Sequence, residues 1–226
     1  MLNKLYEADG KRLNIQIWGQ AGSGKTFFIE HTLDAFLKKS RNKNLRVVYI
    51  SPKHEGILLS KKQKPVYDSA ALEKSLRKER LTVFYPFVDD LEGEVDYAIN
   101  LMFEMRHSNP DMKGVLIIDD AQVFLSSRKA ASSAHRRLAL TGRSRNIRGV
   151  YVSHNIVFAK ELEGQISYLI GFSNPLPLYY RSSMERYGFD PEPYASSLLE
   201  KEHGFVFFNT RTRESTLMEP IDPKQL

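Results

Sequence analysis

The sequence predicts an α/β protein with a mainly parallel central sheet and helices on both faces. Three observations carry this. Short apolar, β-branched runs alternate with segments of helical periodicity along residues 13–172, and such alternation implies right-handed crossovers between parallel strands. Val115-Leu116-Ile117-Ile118 is continuously apolar, as a strand buried on both faces must be. Gly19-Gln20-Ala21-Gly22-Ser23-Gly24-Lys25-Thr26 fits G-x-x-x-x-G-K-[ST] between a strand pattern and a helix pattern, the context in which this loop binds phosphate.

The elements follow in order. Leu13, Ile15, Ile17 and Trp18 alternate with Asn14 and Gln16 as a first strand, and Phe27, Phe28, Ile29, Leu33, Phe36 and Leu37 mark the helix behind the loop. Leu45–Ser51 is a second strand, β-branched and bounded by Pro52. Residues 53–69 form an irregular, lysine-rich surface loop. A helix spans Ser69–Arg80, with Ser69 as its cap and Leu72 and Leu76 on one face. Leu81–Tyr85 is a strand stopped by Pro86, and Asp96–His107 is a helix ended by Asn109-Pro110. The strand 114–118 comes next, then a helix from Ser126 or Ser127 to Leu140 with Gly142 as C-cap. Strands at 149–153 and 168–172 flank a short helix over 159–165. Beyond the turn Asn174-Pro175-Leu176-Pro177, short helices around 182–187 and 193–201 precede a hairpin of 204–209 with 215–218. The whole reads as one domain of 226 residues, with a core at 13–172 and a C-terminal extension at 173–226.

Composition narrows the class. With no cysteine, disulfides and thiolate metal sites are excluded. No apolar run approaches the roughly 18–20 residues of a membrane span, so no direct membrane span is expected. Met1–Glu7 lacks an apolar signal region. The net charge of +6 admits a nucleic-acid partner through phosphate neutralisation. Basic residues cluster at 38–43, 61–64 and 136–148.

The loop defines the first half of a nucleotide site. Its glycines let successive N–H groups face a phosphate, and the helix N-terminus adds partial positive charge. Gln20, Ala21, Gly22, Ser23, Gly24, Lys25, Thr26 and Phe27 are the predicted nucleotide-binding residues. Lys25 reaches the β- and γ-phosphates, and the Thr26 hydroxyl ligates Mg²⁺. The second half is Val115–Ile118 followed by Asp119-Asp120, an apolar strand delivering acid at its end. Asp119 holds the Mg²⁺ shell, and Asp120 takes the place of the acid that polarises the attacking water. Thr141 to His154 adds a helix ending in glycine, the arginines Arg143 and Arg145, and a strand ending Ser153-His154. That strand is expected beside the P-loop strand, with Ser153 and His154 reaching toward the γ-phosphate. An arginine of the preceding loop is a candidate for a neighbouring subunit's site.

These parts, and above all Gly142-Arg143-Ser144-Arg145, Val152-Ser153-His154-Asn155 and Gln165–Phe172, resemble the HerA/FtsK superfamily of P-loop ATPases. Within it they resemble the small genome-packaging ATPases of membrane-containing double-stranded DNA viruses. The resemblance covers roughly residues 13–172 and departs from the family twice: His154 replaces the usual Gln, and Asp120 the usual Glu. It implies a RecA-like core, ATP and Mg²⁺ as cofactors, and a homo-oligomeric ring, a hexamer by analogy, in which Arg143 or Arg145 acts in trans. The implied partners are double-stranded DNA, gripped without reading bases, and a viral capsid or packaging vertex. The implied locations are host cytoplasm and virion, and the chain's small size fits. Lysines of 53–64, Arg128–Lys129 and Arg136–Arg137 are the candidate DNA contacts.

Three alternatives stand beside this reading. A filamentous-phage-type assembly ATPase calls for a membrane span after the core. An AAA+ helicase-loader-like ATPase calls for a helical lid, with Arg181 or Arg186 facing the nucleotide. A small-molecule kinase calls for an acceptor pocket and lid arginines.

Overall fold

The computed structural model describes residues 5–6, 14–53, 63–123, 125, 131–154, 162, 164–172, 185, 187–190, 192–201 and 203–225. Eight strands form one sheet: β1 (Asn14–Trp18), β2 (Leu45–Ile50), β3 (Leu81–Phe84), β4 (Lys113–Ile118), β5 (Ile147–Ser153), β6 (Ile166–Phe172), β7 (Phe205–Asn209) and β8 (Glu214–Met218). Their spatial order is β3-β2-β4-β5-β1-β6-β7-β8. The pairs from β3 through β6 are parallel. The hairpin β7–β8 is antiparallel and joins the sheet through β6.

Alternation along each strand divides the core between the two sheet faces. Val47, Tyr49, Val115, Ile117, Val150 and Val152 face one cluster, together with Phe28, Ile29, Leu33 and Phe36 of α1 (Lys25–Lys39). Val48, Ile50, Leu116, Ile118 and Tyr151 face the other. That second face is covered by α2 (Ser69–Lys78), α3 (Leu91–Ser108), α4 (Ser133–Thr141) and α5 (Glu192–Glu200). Period-two side chains on buried strands thus give a three-layer arrangement with helices on both sides.

Helix boundaries differ from the expected ones because capping chemistry sets them. Asp68, not Ser69, caps α2 by accepting from the Ala71 N–H. The Ser69 hydroxyl donates instead to Glu94. α3 begins at Leu91, five residues before the expected Asp96, because Asp90 accepts from the Gly93 N–H. α4 begins only at Ser133, where the Ser132 hydroxyl accepts from the His135 N–H. Residues 126–130 lie outside the described residues, as does the candidate contact Arg128–Lys129. Gly142 ends α4 but is right-handed at φ −54°, and a 3₁₀ turn (Arg143–Arg145) carries on to left-handed Asn146. Glycine is needed at 142 for closeness: a Cβ there would lie 2.4 Å from the Leu138 carbonyl oxygen and 2.7 Å from that of Ile147. The helices expected over 159–165 and around 182–187 fall almost entirely outside the described residues. Among the described residues, no helix is long and apolar enough to cross a membrane.

Candidate nucleotide site

β1 ends at Trp18, and the chain curls through Gly19–Gly24 into α1. Gly24 is the N-cap, at φ 97° in the left-handed region that favours glycine. It brings no side chain to cap the helix, and the first turn carries no acid. The N-terminal N–H groups and the positive end of the helix dipole are therefore available to an anion.

Lys25, the first residue of α1, is buried at 7% exposure. Its ammonium donates to the Gly19 carbonyl at 2.6 Å and the Gln20 carbonyl at 2.8 Å. Burial lowers its pKa to about 8, against the pull of Asp119 and Asp120, so it stays largely charged at neutral pH. Gln20, Ala21 and Gly22 are exposed on the loop, and Ser23 is buried beneath it. Phe27 is half-exposed and packs its ring on His31, with centroids 4.2 Å apart.

β4 brings its two acids to the same end of the sheet. Asp119 accepts from the Tyr49 hydroxyl at 2.9 Å and from the Asp120 N–H at 3.0 Å. Burial and the neighbouring Asp120 push the Asp119 carboxyl upward, while these hydrogen bonds and Lys25 hold it down. Asp120 sits at φ 50°, a left-handed conformation that aspartate tolerates better than most residues. Its carboxylate meets three donors: Gln122 Nε2 at 2.9 Å, Lys53 Nζ at 3.0 Å and His154 Nε2 at 3.3 Å.

β5 lies between β4 and β1, with Ser153 opposite Trp18. Ser153 is buried at the strand end, and His154 follows it into the cleft. The His154 N–H donates to Gln122 at 3.3 Å, which ties the end of β5 to the turn after β4.

The arginines lie elsewhere. Arg143 and Arg145 are exposed on the 3₁₀ turn that leads into the first residue of β5. Six strand steps separate that end from Ser153, or about 20 Å. Within one copy the structure does not bring them to the P-loop. The Arg145 carbonyl accepts from Arg106 at 2.9 Å at that far end of the strand.

A cavity of about 550 Å³ joins the P-loop to Asp119, Asp120, His154, Lys53 and His203. Its donors fit Mg²⁺. The Thr26 hydroxyl and Asp119 are hard oxygen ligands, and Mg²⁺ takes one or two protein carboxylates with phosphate and water completing its shell. A divalent ion would also offset the cost of burying Asp119 beside Asp120. When bound, it would screen the charge of the phosphates.

The sequence reading missed Tyr49, Lys53, Gln122 and His203. Tyr49 and Gln122 carry no motif, and Lys53 reads in the sequence as one of the surface lysines of its loop. His203, left-handed at φ 65°, precedes β7 and faces Gly24. It had no signal at all.

A glycine loop entering a helix and two acids closing the adjacent strand, on this strand order, define a P-loop NTPase fold. No family model matches the sequence, and no curated protein matches it. Among solved structures, the genome packaging NTPase B204 from Sulfolobus turreted icosahedral virus 2, in complex with AMP, superposes with a TM-score of 0.72. That match has 17% identity and covers 93% of this chain and 98% of that one. B204, the DNA-packaging ATPase from Sulfolobus Turreted Icosahedral Virus, gives a TM-score of 0.70 at 17% identity over the same shares. VirB4 of Thermoanaerobacter pseudethanolicus gives 0.65 at 11% identity, over 92% of this chain and 89% of that one. At these identities the likeness is one of fold.

Proposed function

We propose that this chain is an Mg²⁺-dependent ATPase that works as a homo-oligomeric ring and drives double-stranded DNA into a viral capsid. The observation that carries the ATPase half is the convergence of Lys25, Asp119, Asp120 and His154 on one cavity at the P-loop. Lys25 and the α1 N-terminus would hold the phosphates. Asp120 would orient the attacking water and take its proton as the new P–O bond forms and the bond to the β-phosphate oxygen breaks. The products are ADP and inorganic phosphate. Ser153 and His154 would report the γ-phosphate to β5.

The packaging half is supported by the shared fold with the B204 proteins over nearly the whole of both chains. It is also supported by the net charge of +6. In this reading Arg143 or Arg145 serves the site of an adjacent subunit in a ring taken to be hexameric. Exposed Arg136 and Arg137 on α4 are candidate contacts to the DNA backbone, made without base readout. The ring would act at the packaging vertex, in the host cytoplasm and on the virion.

The test is ATP turnover with and without double-stranded DNA of arbitrary sequence. We expect severalfold stimulation that weakens with added salt. Turnover indifferent to DNA, with phosphate passed to a small acceptor, would sink the motor reading.

A further inference from the structure

Lys53 is not a loop lysine turned to solvent. β2 ends at Ile50, which pairs with Ile118 at the end of β4. Three residues further on, Lys53 emerges beside Asp119 and Asp120. Its ammonium lies 3.1 Å from Oδ1 and 3.0 Å from Oδ2 of Asp120, and its side chain is half exposed. Asp120 has two further donors in Gln122 and His154, so it keeps hydrogen bonds if Lys53 leaves. A half-exposed ion pair contributes little net free energy, so exchanging its partner costs little. The cation also shares its cavity with Lys25 and the N-terminus of α1. Two ammonium groups and a helix N-terminus around one space favour a polyanion there.

We propose that Lys53 reads the terminal phosphate of the nucleotide: it leaves Asp120 for the γ-phosphate when a triphosphate binds, and stays on Asp120 when a diphosphate binds. A triphosphate then frees the carboxylate that the water needs, and a diphosphate leaves it masked. Hydrolysis restores the pair. The residue thus couples nucleotide state to the availability of Asp120. This inference rests on the ATP-binding half of the proposed function and is independent of the DNA-moving half.

The experiment is equilibrium binding of a non-hydrolysable ATP analogue and of ADP, each with Mg²⁺, to wild type, Lys53→Met and Lys53→Arg. Lys53→Met is expected to lose about tenfold in affinity for the triphosphate, the size of one charge-assisted hydrogen bond. Its ADP affinity should stay within about twofold, because ADP lacks the group Lys53 reads. Lys53→Arg should recover most of the triphosphate affinity. Equal losses for both nucleotides, or no loss for either, would overturn the proposal. Asp120→Asn supplies a second line if Lys53→Met does not fold. With its anionic partner gone, Lys53 should bind the triphosphate at least as tightly as in wild type, and weaker binding counts against the exchange. Absent DNA stimulation in wild type would remove the motor reading and leave this one standing. Failure of wild type to bind ATP would overturn both.

Discussion

The imidazole of His154 bridges Lys25 and Asp120. Its Nδ1 lies 3.5 Å from the Lys25 ammonium and its Nε2 3.3 Å from an Asp120 oxygen. With the neutral ring's proton on Nε2, that nitrogen donates to the carboxylate and Nδ1 accepts from the lysine. Burial and Lys25 lower the His154 pKa against the opposing pull of Asp120 and a backbone hydrogen bond to Gly19, which favours a neutral ring. One ring therefore connects the P-loop lysine to the carboxylate proposed to orient the attacking water, and glutamine offers an acceptor and a donor in one side chain. We expect His154→Gln to keep most of the turnover, and His154→Ala to lower kcat about tenfold to hundredfold with ATP affinity changed only a few fold. Steady-state kinetics and direct binding on the same preparations check this. An alanine variant with wild-type kcat removes the ring from the reaction.

Lys25→Ala takes away a buried cation that has three partners in the resting site. ATP affinity should fall by about tenfold to hundredfold, as expected for loss of a charge-assisted contact to phosphate. Titration calorimetry measures it. Unchanged binding would mean that the nucleotide sits elsewhere.

Asp120→Asn keeps the shape and the left-handed conformation at φ 50°, because asparagine also tolerates it. Melting should shift little. Hydrolysis should fall by about 10²–10⁴, the range of a lost general base. Far-UV melting and phosphate release separate the two effects, and a variant that unfolds in place of losing turnover contradicts the assignment.

Arg143 and Arg145 stand before the N-terminal end of β5, opposite the P-loop end of the sheet, so any role in hydrolysis must be served in trans. Arg143→Ala and Lys25→Ala proteins should each be inactive alone. Mixed in equal amounts, about a quarter of the interfaces would combine an intact P-loop with an intact arginine in a ring of head-to-tail contacts. Partial recovery of turnover is expected. Absence of rescue with Arg143→Ala, and again with Arg145→Ala, argues against a shared site.

His135 on α4 is 1% exposed, with its ring 6.3 Å from that of Tyr151. Burial pulls its pKa from 6.5 down to about 4, against the pull of Glu92, and burial pushes the Tyr151 hydroxyl upward, so it stays neutral. Between those two pH values the unfolded chain binds the proton and the folded chain does not. Stability is therefore full above about pH 6.5, falls as pH drops toward 4, and loses about 3 kcal/mol over that window. Urea midpoints at several pH values measure the slope. His135→Leu should flatten it, and an unchanged slope would place its origin in other groups.

The parts written along short stretches of chain were legible in the sequence. The glycine loop, the apolar strand with two acids, the Ser153-His154 strand end and the terminal hairpin all depend on local periodicity and spacing, which covalent geometry converts directly into strand, turn and helix. Caps were harder to place. Asp68, Asp90 and Ser132 compete with nearby polar residues, and only packing decides which side chain turns toward the helix end.

Tertiary structure decided what those parts touch. His154 and Lys25 are 129 residues apart, and they meet because β5 lies beside β1 in the strand order β3-β2-β4-β5-β1. The same order sets β2 against β4 and so carries Lys53, a surface lysine by every local signal, to Asp120. The direction and length of β5 leave Arg143 and Arg145 at the opposite end of the sheet from Ser153, about 20 Å away. By itself the sequence determined the chemistry available at each strand end. Only the order of parallel strands, fixed by non-local packing on two sheet faces, decided which of those ends share a site.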